Sequence, residues 1–377
     1  MNSTQPSIRF QGVDGLRAFA VVAVIAAHAH VFWLHGGGVG VDVFFGISGF
    51  LITYLLINES RRFGKVNLGK FWLRRLLRLM PALIVLVVVV DLFAIVVSNV
   101  KANEYLAQSI PATPSVLLYF SNWMIVATDS PFLGWFGPLW SLSVEEQFYL
   151  VWPMIVILAF KTKYPLRVIS TIAILVSAGA IVLRFLVFDG SNVYRTFGTD
   201  FRVDMLLAGV LLAVAMQAGY KKVVARLSKI ALIPAIVYLV VVSALVPEFG
   251  VDGTEDATRL YYTVGLPFVA LSTVSVIGFL VTHQGSRVTR IMSWGPLDYT
   301  GKISYGMYLW HYPIVMGLRW LDLDPTVTFV ICLGLTYVAA TASWRLIEQP
   351  LSKRFHERLK VRQPELEERS VPASPVP

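Results

Sequence analysis

Long apolar runs constrain this chain more than any other feature of its sequence. Most have about 17 to 25 residues, the length that an α-helix needs to cross roughly 30 Å of hydrocarbon. Hydrophobic residues make up 56% of the chain and charged residues 15%, whereas soluble domains have roughly 25% charged residues. The pattern predicts an all-α, polytopic integral membrane protein with about ten transmembrane helices. They are expected at 16–34, 39–58, 79–98, 139–160, 168–187, 203–217, 230–246, 263–281, 303–320 and 326–346.

The positions of the basic residues predict how these helices are oriented. Lys and Arg collect in cytoplasmic loops, and with the N-terminus inside, most of the 32 Lys and Arg residues fall in inner segments. Both termini are therefore expected in the cytoplasm. The net charge of +9 then indicates attraction to anionic lipid at the inner face, and nucleic-acid binding is the poorer explanation.

A single membrane domain is predicted to account for most of the chain. Residues 1–15 are expected to form a cytoplasmic N-terminal segment, followed by a first helix that acts as a retained signal anchor. The transmembrane domain is predicted at 16–350, and 351–377 at first basic and then a disordered cytoplasmic tail. Cys332 lies in the last apolar run, which predicts a buried, unreactive thiol; no metal site is expected.

Two ionisable residues lie on one face of the first apolar helix. Arg17 and His28 are eleven residues apart, so their side chains project about 20° apart along a stripe roughly 17 Å long. Ionisable groups inside a membrane are costly and usually functional. A structural explanation is also open, in which Arg17 reaches the inner headgroups and His28 bridges two helices by a hydrogen bond. His30 and His35 are weaker candidates nearer the outer surface.

The second apolar helix brings a carboxylate to the same region. A turn with four glycines between His35 and Gly40 permits a tight reversal and close contact between the first two helices. Asp42 then enters from the outer side, where it would either orient His28 or hold the loop. The structural role is favoured, because a helix N-terminus stabilises a carboxylate in any case.

The most basic loop of the chain runs into the third apolar helix. Arg75 and Arg78 are three residues apart and share a helix face, an arrangement that suits forked hydrogen bonds to phosphate. Ordinary anchoring is the alternative, since any inner loop of a membrane protein would be basic. The charge of this loop alone does not distinguish the two.

Two adjacent carboxylates, Glu145 and Glu146, lie inside the fourth predicted helix. Their side chains point about 100° apart, so only one of the two is expected to face a site. Their depth is similar to that of His28, which would allow a pairing of Glu with His. Ser143 in the same turn is a supporting candidate.

Further polar residues occur in the later helices. We expect Arg202 and Asp204 to form an ion pair at the outer mouth of the sixth helix. Glu348 follows Arg345 by three residues and is expected to pair with it at the inner end of the last helix. His311 lies near the midplane of the ninth helix, where it is either a second site residue or a hydrogen-bonded core histidine.

Seven motifs together resemble one family, the integral-membrane acyltransferase 3 proteins, which include bacterial O-antigen and peptidoglycan O-acetylases and antibiotic O-acyltransferases. The resemblance covers roughly residues 12–355. In order along the chain, the motifs are DGLRAFAVVAVIAAH (14–28), GVDVFFGISGFLIT (40–53), FWLRRLLR (71–78), PLWSLSVEEQFYLVWP (138–153), FRVDMLLAG (201–209), SYGMYLWHYPI (304–314) and IEQP (347–350).

The resemblance implies an enzyme that moves an acyl group, expected to be acetyl, from cytoplasmic acyl-CoA to a hydroxyl. The acceptor would be a hydroxylated glycan, a lipid-linked sugar or a small glycosylated compound. The resemblance also implies functional roles for Arg17 with His28, for Arg75 with Arg78, and for the region of Glu145. Larger members of the family add an extracytoplasmic hydrolase-like domain, and no two-step handover through such a domain is expected here.

Acyl transfer to an alcohol needs a base near the hydroxyl and a positive or hydrogen-bonding group for the oxyanion. We expect His28 to be the base, since histidine alone has an unperturbed pKa close to neutral, and Glu145 to orient it or share the proton. Arg75 and Arg78 would hold the CoA phosphates, and Arg17 would line the route of the pantetheine arm toward His28. The supporting candidates are Asp42, Ser143, Glu146 and His311.

A proton-coupled transporter or flippase is the alternative function, because buried His, Glu and Arg residues also form proton relays. The inverted repeats that are common in transporters are not visible in the sequence, which favours the enzyme. Either function predicts a multi-pass protein of the cell membrane, inner or plasma, with the lipid bilayer as its environment.

Overall fold

The computed structural model describes five stretches of the chain, residues 10–31, 33–98, 104–130, 132–246 and 254–351. These residues form α-helices, short 3₁₀ and π-helical segments and turns, with no strand among them, so the predicted all-α class is confirmed. The α-helices are α1 (Val13–His28), α2 (Val39–Phe63), α3 (Leu68–Ser98), α4 (Glu104–Ala107), α5 (Ser109–Leu117), α6 (Ser121–Thr128), α7 (Trp140–Phe160), α8 (Pro165–Val187), α9 (Thr199–Gln217), α10 (Lys221–Leu245), α11 (Glu255–Leu260), α12 (Leu266–Thr282), α13 (Arg287–Met292), α14 (Gly295–Lys302), α15 (Ser304–Arg319) and α16 (Pro325–Ser343).

Seven helical segments of the described chain are long and apolar enough to cross a membrane. The predicted spans at α1, α9 and α15 are not among them. α1 and α15 have 16 residues each, and α9 begins with three charged residues, Asp200, Arg202 and Asp204. The seven segments are Val39–Phe63, Leu68–Val97, Gly134–Phe160, Pro165–Val187, Lys221–Leu245, Glu255–Thr282 and Pro325–Leu351.

The location of both termini in the cytoplasm stays a prediction. The first nine residues and most of the predicted tail, 352–377, lie outside the described residues. The structure therefore describes the membrane domain from Phe10 to Leu351, apart from the gaps between the five stretches.

Glycines set the distance between α1 and its neighbours. At Gly40 of α2, an added Cβ would lie 2.3 Å from the carbonyl oxygen of Ala20, and at Gly301 of α14 it would lie 1.9 Å from that of Asp14. Only glycine permits backbones to come so close. The close contact predicted between the first two helices is confirmed. Because α1 is also surrounded by other helices, it can lie inside the membrane domain although it has only 16 residues.

Two buried ion pairs connect α9 to its neighbours, and they correct one prediction. Arg202 and Asp204 do not pair with each other. Asp204 accepts two hydrogen bonds from Arg184 of α8, at 2.8 and 2.6 Å, and Arg202 donates to Asp42 of α2 at 3.0 Å. Residues two apart on a helix point about 200° apart, so α9 presents its two charges to different helices.

The expected pair of Arg345 with Glu348 is also wrong. Arg345 is exposed, whereas Glu348 is buried, accepts a hydrogen bond from the Ser343 hydroxyl at 3.4 Å and interacts electrostatically with Arg78. The two residues lie in a π-helical segment, Trp344–Glu348. A π-helix has a wider turn than an α-helix, so residues three apart no longer share a face.

Candidate active site

A cavity of about 50 Å³ lies between α1, α2, α7 and α15. Arg17 and Glu145 supply its charged groups. Apolar walls with a few convergent polar groups are typical of small-molecule sites. The other lining residues are Val41, Phe44, Phe45, Ser141, Leu142, Ser304, Tyr305 and Tyr308.

Glu145 and Glu146 have different surroundings. Glu145 lines the cavity and accepts hydrogen bonds from the hydroxyls of Ser48 and Tyr149, the latter at 3.4 Å. Glu146 instead forms an ion pair with Arg75, at 3.5 Å. Of the two adjacent carboxylates, the one that can reach a ligand in the cavity is therefore Glu145.

Arg75 and Arg78 of α3 interact electrostatically with charged residues that line this cavity, Arg75 with Glu145 and Arg78 with Arg17. The guanidinium carbon of Arg75 lies 3.3 Å from the centroid of the Tyr149 ring, a contact in which the ring face attracts the cation.

Carboxylates offset part of the repulsion among these three arginines. Arg75 is paired with Glu146, and Arg78 interacts with Glu348. A bound anion would therefore compete with these carboxylates for the guanidinium groups.

Two of these arginines have unused hydrogen-bonding capacity. Nε of Arg17 and Nε of Arg75 are buried and have no hydrogen-bond partner among the described residues. A buried donor without a partner costs roughly 1–3 kcal/mol. A ligand oxygen that reached either atom would remove this cost.

His28 lies against a second histidine. Nδ1 of His28 is 2.9 Å from the carbonyl oxygen of Val24, and Nδ1 of His311 is 2.7 Å from that of Tyr308. Because a carbonyl oxygen only accepts, both Nδ1 atoms carry the proton in these bonds. Nε2 of His311 then has a lone pair, and it faces Nδ1 of His28 at 3.3 Å.

The histidine pair connects to the cavity through an aromatic residue. The ring of His311 packs against the ring of Tyr308, with centroids 5.4 Å apart, and Tyr308 lines the cavity. On its other side, His28 meets the edge of the Tyr312 ring at 5.1 Å. Arg319 donates to the carbonyl oxygen of His28 at 3.0 Å, which holds the end of α1 against α15.

Two expected partners of His28 lie elsewhere. The Glu–His pairing predicted from depth is replaced by two separate contacts, His28 with His311 and Glu145 with Ser48. The reason is that His28 lies at the end of α1 that packs against α15, whereas Glu145 shares the cavity with Arg17, near the other end of α1. Asp42, the other expected partner, pairs with Arg202.

Ser143, a supporting candidate, is hydrogen-bonded to Ser121 at 2.8 Å and so ties α7 to α6. Cys332 is buried as predicted, and its thiol donates to the carbonyl oxygen of His311 at 3.6 Å. Within the described residues, no group of three or more His, Cys, Asp or Glu side chains is arranged to hold a metal ion.

Several residues that shape the site were not predicted from the sequence. Tyr149 is one turn after Glu145 on α7, a spacing that brings side chains together and could have revealed it. Ser48 and Tyr308 belong to two of the seven family motifs. Residue spacing within one helix, however, does not predict which residues of other helices these two side chains contact. Arg184 was detectable as a lone arginine in an apolar run.

Comparison with known proteins gives consistent matches. A family model described as an acyltransferase domain matches residues 10–345. O-acetyltransferase OatA of Staphylococcus aureus (strain NCTC 8325) is 36% identical over 355 residues, covering 91% of this chain and 57% of the relative. Peptidoglycan O-acetyltransferase OatA of Listeria monocytogenes is 34% identical over 364 residues, covering 90% and 55%. The chain thus spans little more than half the length of these curated relatives. No solved structure gives a significant match.

Proposed function

Because this chain belongs to the acyltransferase domain family, we propose that it is a multi-pass membrane O-acyltransferase that transfers an acetyl group from acetyl-CoA to a hydroxyl of a cell-envelope glycan. Family membership supports the acyl transfer and does not favour a transporter. The name of one relative, a peptidoglycan O-acetyltransferase, supports a glycan acceptor. The observation that carries the proposal is the cavity shared by Arg17 and Glu145 beside Arg75 and Arg78.

The arginines would hold the donor. Arg75 and Arg78 supply positive charge for the CoA phosphates, which would compete with Glu146 and Glu348 for the two guanidinium groups. The pantetheine arm would then extend along α1 into the cavity, over a distance comparable to the roughly 17 Å between Arg17 and His28. The unbonded Nε of Arg17 is available to a carbonyl oxygen of the pantetheine arm along this route.

His28 would act as the general base. Its Nδ1 carries a proton that Val24 and His311 can accept, so Nε2 is the basic nitrogen. As the acceptor hydroxyl oxygen bonds to the thioester carbonyl carbon, its proton passes to Nε2. The tetrahedral intermediate then breaks its carbon–sulfur bond, and the CoA thiolate takes the proton from His28. Glu145 balances the charge of Arg17 in the cavity.

Label transfer in proteoliposomes tests this function. Vesicles that contain the purified protein are given acetyl-CoA labelled in the acetyl group, together with soluble peptidoglycan fragments. We expect label in ester linkage to the glycan and release of free CoA in equal amounts. Movement of unmodified glycan across the same vesicles without acetyl-CoA, and no ester formation, would instead identify a transporter.

A further inference from the structure

The ion pair of Arg75 with Glu146 is held more loosely than the pair of Arg184 with Asp204. Nη2 of Arg75 lies 3.5 Å from one oxygen of Glu146, and the two side chains are 21% and 19% exposed. Arg184 and Asp204 are joined by two hydrogen bonds at 2.8 and 2.6 Å, and their side chains are 0% and 4% exposed. A long single contact that water can reach contributes little to stability. Glu146 is therefore a partner that Arg75 can exchange.

Other contacts hold Arg75 in place. The guanidinium carbon of Arg75 lies 3.3 Å from the centroid of the Tyr149 ring. Nε1 of Trp72, one turn earlier on α3, donates to the carbonyl oxygen of Tyr149 at 3.0 Å and so fixes α3 against α7 at this level. A cation over a ring face is attracted to the ring whichever anion it meets at its edge. Arg75 can thus change its anionic partner without moving far.

The pair with Glu146 leaves part of the Arg75 guanidinium unused. Nε of Arg75 is buried and has no hydrogen-bond partner among the described residues. A phosphomonoester has three acceptor oxygens and a charge of roughly −1.5 to −2 at neutral pH, whereas a carboxylate has a single charge. It can accept from Nε and from an Nη of the same guanidinium as a fork. A phosphate would therefore replace one long contact by two hydrogen bonds.

The phosphates of the donor are the same before and after the acetyl group is transferred. Contacts to them hold acetyl-CoA and CoA alike, so these contacts do not lower the barrier of the chemical step. Phosphates that were bound too firmly would delay the departure of CoA, and product release limits the turnover of many enzymes. A carboxylate that competes for Arg75 would shorten this delay.

We propose that Glu146 is a competitor of the CoA phosphates within the protein: it pairs with Arg75 when no donor is bound, is displaced when acetyl-CoA binds and pairs again as CoA leaves. The inference rests on the proposed O-acyl transfer and adds the residue that sets the affinity for the donor and the rate of CoA release. Glu146 acts through Arg75, whereas its neighbour Glu145 lines the cavity with Arg17.

Equilibrium binding of CoA to the full chain in nanodiscs tests this exchange. In Glu146→Gln the side chain keeps its size and an oxygen that can accept from Arg75, but it loses the charge that competes with a phosphate. We expect the Kd for CoA to fall roughly fivefold or more, and the dissociation rate measured by stopped flow to fall by a similar factor. A purely structural role of Glu146 predicts the opposite, because a poorly held Arg75 would bind phosphate more weakly.

A double variant shows whether the effect passes through Arg75. When Glu146→Gln is added to Arg75→Ala, the Kd should change by less than about twofold, since the cation for which the carboxylate competes is then absent. The matched control is Asp298→Asn, which removes one negative charge from another ion pair, that of Asp298 with Lys302 at 2.8 Å. Its Kd should equal that of the wild type.

Thermal unfolding confirms that each variant is folded. If Glu146→Gln is not, Glu146→Asp takes its place. The aspartate side chain is one methylene shorter, which draws the carboxylate away from Arg75, so we expect a smaller fall in the Kd, of roughly twofold.

A Kd that is unchanged or higher in the folded variant would overturn the inference and leave the proposed transfer intact. No binding of CoA by the wild type would overturn the donor site and the inference together. Failure of the acyl transfer alone has a different signature. In that case CoA binds, and Glu146→Gln binds it more tightly, but no ester forms when labelled acetyl-CoA is added.

Discussion

Nε2 of His311 lies 3.3 Å from Nδ1 of His28, and the two residues are 283 positions apart in the chain. The contact joins α1 to α15 without placing a formal charge in the apolar interior, which a carboxylate partner would do at a cost. When His28 takes up a proton, His311 can accept the hydrogen bond from Nδ1 and stabilise the cation. We therefore regard His311 as a positioning residue for the proposed base.

Replacement of His28 by alanine is expected to lower the rate of acetyl transfer by roughly 10²- to 10⁴-fold, the usual contribution of a general base. Binding of acetyl-CoA should not change, because the arginines remain. Initial rates with labelled acetyl-CoA and equilibrium binding measure the two quantities. His283→Ala serves as control, since His283 lies at the end of α12, where its ring stacks on that of Phe279. Full activity of His28→Ala would exclude the proposed base.

Replacement of His311 should have a smaller effect that depends on the new side chain. His311→Ala removes the acceptor for Nδ1 of His28, and we expect kcat to fall roughly tenfold, the value of one hydrogen bond to a charged group. His311→Gln should recover much of the loss, since the amide oxygen can accept the same proton. The KM for acetyl-CoA should stay constant in both. Equal kcat in the two variants would show that His311 only fills space.

The double variant Arg75→Ala with Arg78→Ala is expected to weaken acetyl-CoA binding. Each lost hydrogen bond to a phosphate is worth roughly 1.5–3 kcal/mol, so a Kd at least tenfold higher is expected by equilibrium binding. Arg74→Ala is the matched control, because Arg74 belongs to the same basic helix but points about 100° away from Arg75. Unchanged affinity in the double variant would show that the two arginines do not bind acetyl-CoA and only anchor the helix at the inner face of the membrane.

The ion pair of Arg184 with Asp204 should matter for stability rather than for chemistry. Arg184 is fully buried and donates to Asp204 at 2.8 and 2.6 Å. Arg184→Ala leaves a buried carboxylate unpaired, which costs roughly 3–5 kcal/mol, whereas the double variant Arg184→Met with Asp204→Leu should recover most of this. Thermal unfolding in detergent measures both. Loss of the partly exposed pair Arg195–Asp200 should cost about 1 kcal/mol or less.

The length and position of the helices were predictable because hydrophobic run length and helix geometry are properties of neighbouring residues. The same local information placed Arg17 and His28 on one face of a helix. It does not predict which other helix packs against that face, because the two helices are far apart in the sequence. Asp42 and Arg202 are 160 positions apart, and no periodicity within one helix can identify such a contact.

The errors have the same origin. Arg202 and Asp204 are close in sequence, which suggested a pair, but helical rotation sends them to α2 and α8. The predicted count of about ten spans is a different case and is not confirmed: the enclosed helices α1 and α15, of 16 residues each, are shorter than a span in lipid requires. The cavity lies where α1, α2, α7 and α15 leave a space between them. Such a space depends on how the helices pack and cannot be predicted from any one helix.

Gly49 of α2 lies where this helix packs closely against α9. At Gly49 an added Cβ would lie 1.9 Å from the carbonyl oxygen of Leu206, so Gly49→Ala must push the two helices apart at a cost of roughly 1–3 kcal/mol. It should also displace Ser48 from Glu145 and lower acetyl transfer. Gly334→Ala in α16 is the control: a Cβ there meets no atom within 4 Å, and alanine favours the helix by roughly 0.5–1 kcal/mol. Unfolding temperatures that fall in both variants alike would show that helix contact at Gly49 is not the cause.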